Sequence, residues 1–377
     1  MQKNKSITSW LVLSICFLIF ICSVIFYTQN KANPKSEDLN ITLTDVGFDT
    51  PITLNCTCSQ ADFAKYTKIL RKTFKDNNKR FDQYHAYKNM NNLYTLNHEA
   101  YDHPIEMDTT FIECLQLALK MQAENSQFDI TQGALLNLWH DARENTQIPP
   151  SDEQIQEALK HIDINSIQID GNTVRYLDSE LSLDLGAIAK GYTAQLAKEA
   201  LNKAGLTNGY INAGGNVVLL GEKEDGSNWK IGIQSPDSND ALVQYETKKA
   251  TCLVTSGDYQ RYFTYKKKKY SHIIDPQTGY PANYVRSVTV ITKDSGKADA
   301  LSTTLFCMSV EDGKKYLSTL DYDVQAIWIV DKDSDVSSDL ETKDYKIITT
   351  DKIKKRVTLV DKMDPVKRTQ EKKYIST

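Results

Sequence analysis

The sequence predicts a body of α+β or mixed α/β class behind an N-terminal transmembrane helix. Short segments of period-two apolar alternation interleave with longer segments of helical periodicity, which argues against a sandwich or a helical bundle. An uncharged, largely apolar run from Trp10 to Tyr27 precedes them. At about 1.5 Å per residue this run spans ~27 Å, close to the ~30 Å hydrocarbon core of a bilayer.

Residues 1–30 form the anchor or signal segment. No small-residue cleavage pattern follows the run, where Tyr27-Thr28-Gln29-Asn30 stands. Cys16 and Cys22 both follow isoleucine, a poor context for lipoprotein cleavage. A retained anchor with the body outside is therefore expected, although Lys31 and Lys35 offset the positive-inside bias of Lys3 and Lys5. Residues 31–40, polar and containing Pro34, read as a linker, 41–361 as the body, and 362–377 as a basic polar tail. The tail is expected to be solvated, or to touch an anionic surface.

Within the body, Ile41 to Leu54 is strand-rich and Asp62 to Phe74 is helical in period. Asp108 suits the cap of a helix through Met121. Ser151 and Gln154 after Pro149-Pro150 form a capping-box start. Asp170-Gly171 is a hairpin turn between Ile167 and Val174. Lys190 to Ala204 is helical, with Gly205 where a C-terminal glycine belongs. Strands follow at Tyr210–Asn212, Val217–Leu220, Trp229–Ile233, Thr251–Val254 and Ser287–Ile291, then a helix opening near Ala298 and a strand at Gln325–Val330.

A net charge of −4 over 377 residues leaves no broad basic surface, so nucleic acid is excluded as a main partner. Two of the seven cysteines lie in the apolar run and the other five are scattered, which is not a disulfide framework. Cys56 and Cys58 share one face of a strand; without a second cluster they read as reduced thiols rather than a metal pair.

Four segments can carry chemistry. Asp184-Leu-Gly186-Ala187-Ile-Ala-Lys190-Gly191 passes from strand through loop into helix. That geometry aims free N–H groups at an anion and lets Lys190 add charge, although glycine turns are also commonly structural. Gly214-Gly215 between Asn212 and Asn216 permits close backbone approach to a ligand, or simply a tight turn. His272 and Asp275 lie beside the Asp275-Pro276 and Thr278-Gly279 turns; an isolated histidine there is either structural or a proton carrier. Asp299 and Thr303, spaced i and i+4, stack on one helix face. They suit either a hard oxygen-loving cation or a capping acid beside a packed threonine. Lys266 to Lys269, between Tyr265 and Tyr270, reads as a solvated hairpin tip that could also recruit an acidic partner.

Together these segments resemble the ApbE-like flavin transferases, the FAD:protein FMN transferase family. The matching pieces are Gly47 to Thr50, Tyr87 to Asn97, Phe128 to Trp139, Asp184 to Tyr192, Ile211 to Val217, His272 to Pro281 and Ala298 to Phe306, all in family order. The resemblance implies an ApbE-like (T-fold-like) body with FAD as substrate, Mg2+ as cofactor, and transfer of FMN to a threonine or serine of an acceptor flavoprotein with release of AMP. It implies Asp299, Thr303 and the Ala187 carbonyl as metal ligands, and His272 as the proton acceptor. Phe48, Tyr87, Gln127, Phe128, Asp129, Asp184, Lys190 and Ile273 are the positions it places near FAD. It also implies work at the outer face of a bacterial membrane. Ala134 departs from the family, standing where proline is common, and no S-G-A-[ST] acceptor segment occurs in the chain, so the target lies on another protein. Rival expectations are a metal-dependent FAD pyrophosphatase, a non-catalytic FAD-binding protein, and a surface interaction protein using its lysines. The last leaves the ordered motifs unexplained.

Overall fold

The computed structural model describes residues 36–360 and 375–376. The apolar run and most of the tail lie outside the described residues, and among those described no helix is long and apolar enough to cross a membrane.

The chain opens with an antiparallel pair, β1 (Glu37–Leu43) and β2 (Ile52–Cys58). β1 begins inside the stretch read as linker, and the strand-rich segment divides around a loop in which Gly47, Phe48 and Asp49 all take positive φ. Helix α1 (Gln60–Phe81) starts where Ser59 accepts the Asp62 N–H, and buries Tyr66, Leu70, Phe74, Asn77 and Phe81 along one stripe. α2 (Leu93–Glu99) is capped by Asn92; β3 (Ile105–Glu106) follows, and Asp108 caps α3 (Thr109–Glu124) as the sequence predicts. α4 (Gly133–Asp141) continues into a π-helical turn, Ala142–Thr146. α5 (Asp152–Leu159) carries the complete Ser151–Gln154 capping box. β4 (Ile167–Asp170) and β5 (Thr173–Tyr176) make the hairpin expected at Gly171.

α6 (Ala189–Lys203) ends before Gly205, whose φ of +105° is open to glycine at no steric cost. Then come β6 (Tyr210–Ala213), β7 (Asn216–Leu219), β8 (Trp229–Gln234), β9 (Ala241–Thr247), β10 (Cys252–Gly257), β11 (Tyr262–Tyr265), β12 (Lys268–Ser271) and β13 (Ser287–Thr292). Helix α7 (Ser295–Phe306) opens earlier than Ala298 because Asp294 caps it, accepting the Lys297 N–H at 3.0 Å. α8 (Val310–Thr319), β14 (Gln325–Asp331), β15 (Leu340–Glu341), β16 (Tyr345–Thr349) and β17 (Val357–Leu359) complete the body. In the stretch read as a solvated tail, β18 (Ile375–Ser376) pairs parallel to β8.

Nine strands form one sheet in the order β1-β2-β6-β7-β10-β13-β14-β16-β15, and β17-β9-β8-β18 form a second. β10 and β13 are buried at every position and β14 at all but Asp331, although serine and threonine stand among the apolar residues of the first two; successive side chains point to opposite, covered faces. Val254, Val290 and Trp328 face a core with α3, α7 and α8, while their neighbours Leu253, Ile291 and Ile327 face β8 and β9. A sheet covered on both sides has no wet face to mark by alternation. A further core packs α1 and α6 on β1, β2 and β6. Helices α6 and α7 thereby meet side by side over the sheet, and the functional segments converge at that contact.

The five described cysteines are free. Cys56 and Cys58 share one face of β2 as expected, with sulfurs 3.6 Å apart, and burial pushes both thiols up.

Candidate active site

The loop before α6 is built by Asp184. Its Oδ1 accepts the Gly186 N–H at 2.6 Å and its Oδ2 accepts from Gln83 Nε2 at 2.8 Å. Past this turn the helical ladder starts regularly, with the Tyr192 N–H bonded back to the Ile188 carbonyl. The Gly191 N–H, a first-turn donor with no partner inside the helix, donates to Asp299 Oδ2 at 2.7 Å. The Ala187 carbonyl is left outside the ladder.

Asp299 lies one turn into α7 and is only 6% exposed. Gly191 is what lets α6 approach it: a Cβ there would stand 2.3 Å from the Ser295 carbonyl oxygen and 2.5 Å from Asp299 Cβ. Gly191→Ala is accordingly expected to force the two helices apart, with a stability loss of about 1–3 kcal/mol from overpacking. Denaturant unfolding checks this; unchanged stability would mean that the helices separate freely.

Burial pushes the Asp299 carboxyl up and the Lys190 ammonium down, and in each case the attraction of the other opposes the shift. The Asn216 amide also favours the Asp299 carboxylate, although its geometry falls short of a hydrogen bond and neither of its polar atoms has a partner among the described residues. Lys190 Nζ donates to the Gly214 carbonyl at 3.4 Å. Gly214 and Gly215 form the two-residue β6–β7 turn, both at positive φ, and Thr50 packs where a Gly214 side chain would be. The glycine pair is thus both a tight turn and a point of close approach.

Thr303 stands one turn along α7 from Asp299. Its neighbours spend their hydroxyls inside the fold: Ser302 on the Asp299 carbonyl and Ser256, Thr304 on the Ala300 carbonyl. The half-buried Thr303 hydroxyl has no partner among the described residues. Ala187 carbonyl, Asp299 carboxylate and Thr303 hydroxyl are oxygen donors of the kind a hard divalent cation takes. Among the described residues no three His, Cys, Asp or Glu side chains cluster to hold a metal; this set has a single carboxylate, and its other donors are a backbone carbonyl and a hydroxyl.

His272 continues the β11–β12 ladder. Its backbone N–H donates to the Arg261 carbonyl at 3.0 Å, and its Nδ1 lies 3.1 Å from the same oxygen. A carbonyl can only accept, so Nδ1 carries the proton and Nε2 is bare. Burial, then Arg261 and Arg143, with Lys190 adding to them, hold the imidazole pKa down at about 3. His272 is a neutral base there.

Arg261 and Arg143 carry no motif and were not anticipated. Arg261 follows Tyr259-Gln260 as one more polar residue, and Arg143 sits on the π-helical turn, bonded to Glu144 at 2.8 Å and 3.0 Å from His140 Nδ1. Tyr84, 48% exposed, stacks on His140, and its phenol feels Asp184, Arg143 and Arg261. The only signal for Arg261 in the sequence is its place opposite His272 across a hairpin; a π-helical turn has none.

The structure thus brings Asp184, Ala187, Lys190, Asp299, Thr303 and His272 to one region. The other expected positions are placed less directly. Phe48, at φ +60°, donates its N–H to Asn78 Oδ1 and packs its ring edge-on to Phe74. Tyr87 donates to Asp82 Oδ2 at 2.7 Å, and burial, then that bond, raises its pKa to about 12. Gln127 keeps a buried Oε1 without a partner among the described residues. Phe128 and Ile273 belong to the central core. Asp129 accepts the Thr131 N–H and hydroxyl, and burial pushes its carboxyl up. Asp275 is buried and organises its own turn, accepting the Gln277 N–H and the Tyr284 hydroxyl.

Residues 48–328 match the ApbE family along their whole length. The chain belongs to the ApbE family. The FAD:protein FMN transferase of Vibrio cholerae is 34% identical over 236 residues, spanning 62% of this chain and 71% of that protein. The FAD:protein FMN transferase of Klebsiella pneumoniae is 34% identical over 239 residues, spanning 62% and 73%. Among solved structures, the flavin transferase ApbE from Vibrio cholerae superposes with a TM-score of 0.70 at 25% identity, over 85% of this chain and 99% of that one. The ApbE protein of Thermotoga maritima gives 0.69 at 27% identity, over 78% and 94%. The mixed α/β class read from the sequence is the ApbE fold.

Proposed function

We propose that the chain transfers FMN from FAD to a threonine or serine hydroxyl of another protein, dependent on Mg2+ and at the outer face of a membrane that holds its N-terminal segment. The observation that carries the reading is the coexistence, in one region, of an oxygen-only donor set and a neutral histidine with a bare Nε2. Storage of FAD needs neither.

Lys190, Arg261 and Arg143 supply positive charge suited to a pyrophosphate, and Tyr84 on His140 offers an aromatic face. Bound at Ala187, Asp299 and Thr303, Mg2+ would neutralise charge on the phosphate oxygens. His272 Nε2 accepts the proton of the acceptor hydroxyl. The hydroxyl oxygen bonds to the FMN-side phosphorus, the bond from that phosphorus to the bridging oxygen breaks, and AMP leaves. Nothing is oxidised or reduced, so FAD serves as substrate. The membrane setting is supported by the length and apolarity of Trp10 to Tyr27.

Incubation of the protein with FAD, Mg2+ and a candidate acceptor domain tests the reading. A mass gain of one FMN on the acceptor with matching AMP is expected. AMP without that gain would make the protein a pyrophosphatase, and intact bound FAD would make it a binding protein.

A further inference from the structure

The catalytic histidine stands at the foot of a hairpin whose tip is unusual. β11 and β12 pair from Tyr262–Ser271 to Tyr265–Lys268, and the Arg261–His272 contacts extend that ladder by one rung. One face of the hairpin is fixed: Phe263 stacks on Tyr270 at 5.2 Å and Tyr270 on Trp139 of α4 at 5.8 Å. Lys266 and Lys267 form the turn, with φ of +46° and +66°. Two-residue hairpin turns with both φ positive strongly favour Asn-Gly, because a side chain in that region is strained. Two lysines hold these places, followed by Lys268, and all three are exposed. Lys266 and Lys268 lie over the rings of Tyr265 and Tyr270, while Lys269 is spent on Asp258 and the Tyr262 ring. Strain kept at a surface turn for the sake of charge points to a partner.

We propose that the Lys266–Lys268 tip docks an acidic surface of the acceptor protein and so holds the target hydroxyl beside His272. The inference rests on the transferase reading above. Four residues of strand, at about 3.4 Å each, put the tip ~14 Å from His272, within the footprint of any protein that delivers a hydroxyl to it. The chain as a whole is negatively charged, so three adjacent exposed lysines select an acidic face by steering, which an uncharged tip would not. A membrane surface would satisfy the charge but carries no hydroxyl to be modified at the foot of the same hairpin.

The test uses the full chain and two labelled peptides, each with one threonine, flanked by glutamates in one and by lysines in the other. Anisotropy reads docking whether or not transfer occurs. The glutamate peptide is expected to bind with an affinity that falls with salt, and Lys266→Glu/Lys267→Glu/Lys268→Glu to weaken it about tenfold or more. AMP release from FAD without peptide should stay unchanged in that variant. Lys266→Asn/Lys267→Gly installs the favoured turn, so it should keep or raise Tm while weakening the peptide to an intermediate degree. Equal binding by wild type and triple variant, or equal binding of the two peptides, overturns the proposal. So does loss of binding to phosphatidylglycerol vesicles in the triple variant with peptide binding intact. Intact FAD in the wild-type reaction with Mg2+ would instead overturn the transferase reading.

Discussion

Asp299→Ala is expected to lower FMN transfer about 10²–10³-fold, the scale of losing one preorganised charge-stabilising group. Three functions of that carboxylate end together. It is the only charged member of the oxygen donor set, it accepts the Gly191 N–H at 2.7 Å, and it offsets the Lys190 charge. Asp299→Asn separates these. The amide oxygen still accepts from Gly191 and keeps α6 against α7, so Tm should stay near wild type, but the charge is gone and transfer should remain low. Single-turnover transfer, read by acceptor mass at several Mg2+ concentrations, checks the pair. Partial rescue of Asp299→Asn by high Mg2+ is expected. A wild-type rate in Asp299→Asn would remove the carboxylate from the reaction and leave it a helix-packing group.

How much of this was legible in the sequence depends on whether a feature is local. The caps at Asp108 and Ser151, the Gly171 hairpin and the Gly205 helix end need only a few neighbouring residues, and each is found where its chemistry puts it. Strands β10, β13 and β14 were legible as short strand segments, although which residue faces which core depends on what covers each side. Spacing singled out Thr303 from three consecutive hydroxyl residues, and the reason becomes visible only when Ser302 and Thr304 are seen bonded within the fold. The start of α7 was missed because the cap, Asp294, precedes a lysine and two small residues with no apolar period to announce it. Arg143 had no signal and Arg261 only its place across the hairpin, since their significance lies in a shared neighbour, His272, that neither adjoins in the chain. The bond from the first-turn Gly191 N–H to Asp299 is equally a tertiary fact. It depends on two helices meeting where one residue lacks a Cβ.

His272→Asn should cost about 10²–10⁴-fold in transfer, the usual worth of a positioned general base. Its pH dependence gives a sharper test. Burial and the charges of Arg261, Arg143 and Lys190 disfavour the imidazolium, so the pKa lies at about 3 against an ordinary value of 6.5. A base is active when deprotonated; the acid limb of kcat/KM should therefore fall well below pH 6.5. Arg261→Gln removes one of the charges that depress the pKa while leaving the backbone carbonyl that fixes the tautomer. The imidazolium becomes less costly, the pKa rises, and the acid limb should move to higher pH. Bound FAD acts in the same direction, because its pyrophosphate offsets the surrounding cations, so the limb in kcat should lie above that in kcat/KM. A merely structural Arg261 would change the rate at every pH alike. An acid limb that stays fixed or moves downward in Arg261→Gln would separate the arginine from the base, and a His272→Asn rate within tenfold of wild type would remove the histidine from proton transfer altogether.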